Sequence, residues 1–232
     1  MAVATDFGRL QRQGQLFGRR VGRGLNEGLA ELIALRLPAL RLDVSVASPP
    51  ALADLFEAPV ADVWLEIGFG GGEHLLWQAA AHPNVGFIGC EPFQTGVAKA
   101  IRGIDEAGLR TVRLYDDDVR HVLEWLPDAS LGRVFILFPD PWPKRRHRKR
   151  RFLTADGLTA LSRVMRSGAE LRFATDIADY AAMVASAVSN RIDFRAAPGL
   201  LSERPPDWPL TRYAEKAMAA GRACRFFIYE RI

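Results

Sequence analysis

Cysteine is scarce in this chain. The 232 residues hold two, Cys90 and Cys224, far apart and both in apolar, strand-like runs. That excludes a disulfide framework and predicts packed thiols in a reducing compartment. Histidine is as thinly spread. His74, His82, His121 and His147 show no ligand spacing, so no metal is expected. No apolar run is long enough to span a membrane, and the N-terminus has no signal-like apolar stretch. The expectation is a cytoplasmic protein without a membrane partner, monomer or homodimer. Acids are absent from one stretch: Lys144 to Arg151 holds seven Lys or Arg and none of the opposite sign. One glycine is missing too. In Gly68-Phe69-Gly70-Gly71-Gly72-Glu73 the sixth position is an acid, where the hydride-transfer fingerprint needs glycine. An acid opening a helix would repel a pyrophosphate. A nicotinamide-dependent oxidoreductase is therefore the weakest reading.

What is present begins with Phe135 to Arg151, FILFPDPWPKRRHRKRR. An apolar run ends at Pro139-Asp140-Pro141. Two prolines stiffen the loop and hold Asp140 just past a strand, where open α/β sheets bind ligands. The cationic run follows at once. The formal net charge is only +4, but residues 1–23 hold five Arg and one Asp, so the remaining body is acidic. Two basic segments on an acidic body point to a local polyanion contact. The bland alternative for each is a solvated charged face or an untidy terminus.

The length fits one domain, residues 25–232, preceded by a basic flexible arm, residues 1–24. A short helix over residues 26–37 is predicted to end before Pro38. From residue 62 strands and helices alternate. Strands are predicted at 63–67, 85–90, 111–115, 133–138, 170–175, 193–196 and 225–230. The helices between them cover 73–81, 95–107, 119–126, 155–165 and 177–189. Such alternation gives a mostly parallel sheet with helices on both faces. Residues 197–223 read as a long, proline-rich connection, and such loops are often functional.

The first strand runs into the glycine loop, where Gly68 and Gly70 permit a sharp turn and a close ligand. Glu66 stands two residues earlier. Glu91 ends the second strand and Asp116-Asp117-Asp118 the third, with Asp140 ending the fourth. Acids at four successive strand ends suit a nucleoside cofactor carrying positive charge. Glu91 is placed to accept from ribose hydroxyls. Asp118 is placed to accept from an adenine amino group or to cap the next helix.

These residues resemble the bacterial tRNA (guanine-N7-)-methyltransferases. The likeness covers Glu66-Ile67-Gly68-Phe69-Gly70, Glu91-Pro92-Phe93 and Pro139-Asp140-Pro141-Trp142-Pro143-Lys144. It continues through Arg146 to Arg151, Thr175-Asp176 and Thr211-Arg212-Tyr213, with Phe17-Gly18-Arg19-Arg20 in the arm. The resemblance implies an α/β, class I S-adenosylmethionine-dependent methyltransferase (Rossmann-like) sheet with an antiparallel last strand. It implies methyl transfer to N7 of guanine 46 in the tRNA variable loop, leaving S-adenosylhomocysteine and using no metal. It implies that Glu66, Glu91, Asp118 and Asp140 contact the cofactor. Lys144, Asp176, Thr211, Arg212, Tyr213 and Ala214 would contact the substrate. Arg146, His147, Arg148, Lys149, Arg150 and Arg151 would contact RNA. One departure stands out: the family's acid is expected at Ala214, and here Glu215 follows it, so that either Glu215 substitutes through a local backbone shift or the contact is lost, with Ala214 kept as a backbone position.

Guanine N7 is a lone pair without a proton, so no general base is needed. Alignment is needed, and a carboxylate near the developing cationic base, for which Asp140 is best placed. Asp176 can accept from guanine N1–H and N2–H, or cap the following helix. Trp142 and Tyr213 can stack on a base or pack the loop. The competing readings are a methyltransferase for another RNA or base atom, and an RNA-binding cofactor module without turnover.

Overall fold

The computed structural model describes residues 26–196 and 204–232. Its strands are β1 (Asp62–Ile67), β2 (Val85–Cys90), β3 (Val112–Tyr115), β4 (Leu131–Leu137), β5 (Met165–Thr175), β6 (Phe194–Ala196) and β7 (Arg225–Arg231). They form one sheet in the order β3-β2-β1-β4-β5-β7-β6. The strands from β3 to β5 are parallel, while β7 runs antiparallel to both β5 and β6. Register decides where ligands can lie. Ile67 pairs with both Cys90 and Ile136, and Cys90 with Tyr115. The carboxyl ends of β1 to β4 are therefore level. Chain order reverses between β1 and β4, the switch point at which such sheets open a crevice.

The helices are α1 (Glu27–Leu40), α2 (Glu73–Ala81), α3 (Gln94–Ala107), α4 (Val119–Trp125), α5 (Ala155–Val164), α6 (Ala178–Ser189) and α7 (Arg212–Ala219). Strand side chains alternate between faces. Leu65, Val134 and Ile136 pack with Leu123, Leu161 and Val184 of α4, α5 and α6. Trp64, Phe87 and Phe135 pack with Leu37, Leu75 and Ile101 of α1, α2 and α3. Each such side chain contributes about 1.5–3 kcal/mol on leaving water. The sheet is thus clamped on both faces, and its level edge is a rigid mount.

Three departures from the sequence reading go beyond shifts of one or two residues. Helix α1 continues through Pro38 to Leu40. A proline in the last turn removes a single donor, Arg41 N still reaches Leu37 O at 2.7 Å, and Leu37 and Leu40 are both buried. Strand β5 begins at Met165 because Leu131 pairs with it before a register shift. Helix α7 lies within a stretch expected to be irregular. Thr211 caps it, and Ala214 and Ala217 bury its inner side. The arm at residues 1–24, with Phe17 to Arg20, lies outside the described residues.

Candidate active site

The glycine loop leaves β1 through three left-handed residues, Gly68 (φ 76°), Gly70 (φ 58°) and Gly72 (φ 86°). Only glycine adopts these readily. Helix α3 is pressed onto the loop: a Cβ on Gly96 would stand 2.1 Å from Gly70 O. Above the loop lies a cavity of about 500 Å³, walled by Gly68, Gly70, Glu91, Asp140, Trp142 and Tyr213 among others. A recess of about 140 Å³ that shares Gly68 with it holds Asp118. The first has the size of an ordinary cofactor site.

The acids are not equivalent. Glu91 is almost buried. Its Oε2 accepts from Gly70 N–H at 2.8 Å and its Oε1 from Phe93 N–H at 2.9 Å. Burial raises its pKa, the two backbone donors hold it back, and the charges of Asp140 and Glu66 push it up again. Asp140 faces the cavity, and loss of bulk water among the walls raises its pKa as well. Acids that resist ionising side by side favour a cation between them. Asp118 caps α4, accepting from Arg120 N–H at 3.0 Å and pairing with the Arg120 guanidinium at 2.7 Å. It does this while lining the recess, so capping and ligand contact are compatible.

Glu66 has an internal partner. Alternation along β1 turns it, like Trp64, toward α2. It is 3% exposed, does not line the cavity, and accepts from His74 Nδ1 at 2.7 Å. The sequence reading did not name His74 as a partner of Glu66. An acid two places before the loop and a histidine one place into α2 were the signal available.

The Asp140 loop is strained on both sides. Phe138 (φ 50°) and Trp142 (φ 41°) occupy the left-handed region, at about 1–3 kcal/mol each. Packing must hold them there, and Arg151 supplies part of it. Its Nε and Nη2 donate to Pro141 O at 3.0 and 2.8 Å, and its guanidinium lies over the Tyr180 ring at 4.6 Å. The Arg151 side chain is 0% exposed and also pairs with Asp179. This corrects its grouping with the RNA-facing cations, because a buried guanidinium bonded to a carbonyl cannot meet a phosphate.

The rest of the basic run forms a 3-10 turn, Arg145–Arg150, with Lys144 before it. Lys144, Arg146, Arg148 and Lys149 are exposed. Arg148 pairs with Asp179 at 2.8 Å. Arg150 lies over Trp142 at 4.9 Å, and His147 meets the same ring edge-on at 6.0 Å. Slight shielding and then the surrounding cations lower the His147 pKa, so it adds little charge near neutrality. Trp142 thus both packs the loop and walls the cavity.

The α7 segment closes over the glycine loop. A Cβ on Gly70 would stand 3.1 Å from the Tyr213 ring, and Arg212 Nε lies 3.7 Å from Glu73 Oε1. Arg212 and Tyr213 line the cavity. Thr211 and Ala214 do not. Thr211 Oγ1 accepts from Ala214 N–H at 3.3 Å, and both residues are buried. Glu215 is exposed, and its N–H bonds to Thr211 O in regular helix. A helix turns about 100° per residue, so Glu215 leaves α7 on a different face from position 214. Asp176 does not cap α6. It pairs with Arg222 Nε at 2.6 Å, while Thr175 Oγ1 accepts from Ile177 N–H. Lys99 of α3, passed over in the sequence, lines the cavity as an exposed cation. Among the described residues no cluster of His, Cys, Asp or Glu could hold a metal ion, and no helix is long and apolar enough to cross a membrane.

The family described as "Putative methyltransferase" matches residues 60–226. A tRNA (guanine-N(7)-)-methyltransferase of Rhodopseudomonas palustris (strain BisA53) is 44% identical over 100% of this chain and 94% of its own length. The enzyme of that name from Rhodospirillum rubrum is 46% identical, over 94% of this chain and 88% of its own. Among solved structures, the 16S rRNA methyltransferase KamB aligns with a TM-score of 0.55 at 15% identity, covering 75% of this chain and 88% of its own. TrmN from Thermus thermophilus aligns with a TM-score of 0.54 at 16% identity over 88% of this chain, which spans 48% of TrmN. These two likenesses concern the fold, a class I methyltransferase sheet. Identity sustained along the whole chain, with acids level at a switch-point cavity beside a cationic turn, makes this chain a member of the tRNA (guanine-N(7)-)-methyltransferase family.

Proposed function

We infer that the protein methylates N7 of a guanine in tRNA, at guanine 46 of the variable loop, with S-adenosylmethionine as donor and S-adenosylhomocysteine as product. Its place of work is then the cytoplasm, where tRNA is. The observation that carries the reading is one cavity with two functions at its wall. Glu91 and Asp140 face it from level strand ends, and the Arg145–Arg150 turn borders it. S-adenosylmethionine, when bound, supplies a methyl group made electrophilic by a sulfonium. The residues fit such a group. Two acids whose pKa is raised await a cation, and glycines remove side chains from its approach.

The chain's own residues then have separable tasks. Glu91, held by Gly70 and Phe93 N–H, presents its remaining lone pairs to ribose hydroxyls. Asp118 in the adjoining recess accepts from the adenine amino group. Asp140 stabilises the positive charge that develops on the guanine, without taking a proton. Asp176 accepts from N1–H and N2–H, held in orientation by Arg222. Tyr213 and Trp142 confine the base in plane, which excludes water and favours alignment. Lys144, Arg146, Arg148 and Lys149 take phosphates, and Arg150 and His147 brace Trp142.

The test is incubation with bulk tRNA and methyl-labelled donor, followed by chain cleavage at 7-methylguanine. Label in tRNA and a single cut in the variable loop are expected. Label at another base, or in ribosomal RNA alone, would overturn the reading.

A further inference from the structure

A buried polar chain runs beneath the glycine loop from one side of the site to the other. Glu66 Oε2 is 2.7 Å from His74 Nδ1, and His74 Nε2 is 3.2 Å from Gln78 Nε2, which donates to Asp207 O at 2.9 Å. Exposure is 3% for Glu66, 3% for His74 and 1% for Gln78. The carbonyl of Asp207 orients the Gln78 amide as a donor. His74 Nε2 is then the acceptor, and its Nδ1–H donates to Glu66. The Asp207 carboxylate is gripped separately by Arg172 Nη1 at 2.6 Å, and Arg172 is itself buried. Four residues later Thr211 starts α7, whose Arg212 and Tyr213 meet Glu73 and Gly70.

The chain therefore starts at the strand that delivers the glycine loop and ends at the turn that delivers the substrate segment. Apolar side chains of the same shape would fill this space at lower cost than three buried polar groups. Its geometry instead makes the position of the Asp207 turn depend on that of β1 and α2.

We infer that His74 and Gln78 are positioning residues that couple the two halves of the site. Filling of the cofactor side stabilises the seated conformation of the segment from Asp207 to Tyr213, and that conformation takes tRNA. The inference rests on the methyl-transfer reading of the cavity.

The experiment is tRNA binding with and without saturating S-adenosylhomocysteine, in the full-length protein and in Gln78→Met. That variant keeps the Glu66–His74 pair and removes the link to Asp207. In the unchanged protein the product cofactor should tighten tRNA binding by about fivefold or more, within the usual range of coupling between sites. In Gln78→Met the tightening should fall below about twofold while affinity for S-adenosylhomocysteine alone changes little. The KM for tRNA should rise with kcat at saturating tRNA preserved. Equal tightening in both proteins, or none in the unchanged one, overturns the coupling. An unchanged protein that binds no tRNA overturns the methyl-transfer reading instead. Should Gln78→Met not fold, hydrogen exchange in the unchanged protein decides. S-adenosylhomocysteine should slow exchange at the amides of Asp207, Trp208 and Leu210, and unaltered exchange there overturns the proposal.

Discussion

Asp140 shows what one residue carries. Its pKa is raised because the cavity walls displace water, so the folded state holds its proton to higher pH than the unfolded chain. Stability then falls as pH rises through the window between the two values, and the ionised acid opposes folding at neutral pH. Asp140 is itself exposed and solvent screens its charge, so Asp140→Asn should melt at an equal or only slightly higher temperature at pH 7, with any difference shrinking toward pH 4. Its methyl transfer should be lost while tRNA binding stays within a few-fold of normal. Near-normal turnover would remove Asp140 from the mechanism. Arg151 makes the opposite point. Arg151→Met should cost about 2–3 kcal/mol by denaturant titration, since charge-assisted bonds to Pro141 O are lost. It should leave the salt dependence of tRNA binding untouched, and a changed slope would return it to the RNA-facing group. Asp140 was legible in sequence because prolines bracket it after an apolar run. Arg151 was not, because nothing in a run of like charges says which one turns inward.

The elements act through close approach. Gly96→Ala places a methyl against Gly70 O, and neither backbone can yield without moving α3 or the loop. Overpacking of this kind costs about 1–3 kcal/mol. The KM for S-adenosylmethionine should rise by about tenfold or more if that strain is expressed in the loop, with affinity for tRNA alone preserved. An unchanged KM would mean the loop tolerates the displacement. The 3-10 turn acts by charge. Replacing Arg146, Arg148 and Lys149 with Ala should lower the slope of log K against log salt by about 2–3, since each phosphate contact contributes about 0.7–0.9. An unaltered slope would assign the turn to solubility. The strands and the helices α2 to α6 were legible from alternation and amphipathic spacing. Helix α7 was not. Its eight residues follow a proline-rich stretch, and only docking of Ala214 and Ala217 makes so short a helix stable.

At the scale of the whole molecule, charge is divided between an acidic body and two basic segments. The five arginines of residues 1–23 should add to the field that captures tRNA. Deleting residues 1–24 should weaken tRNA binding most at low salt and leave the KM for the cofactor unchanged. Equal binding at every salt concentration would limit the RNA contact to the rest of the chain. The sequence by itself determined the parallel sheet, the switch-point glycine loop, the acids past β2, β3 and β4, and the basic run. All of these follow from local period, turn chemistry and charge order. The tertiary structure alone decided that Glu66 turns to His74, that Arg151 braces the Asp140 loop, that Thr211 and Ala214 face inward, and that Arg222 meets Asp176. Those outcomes depend on which surfaces lie opposite one another once the sheet is packed. The Arg151–Asp179 and Asp176–Arg222 pairs, 28 and 46 residues apart, leave no periodic trace in the chain.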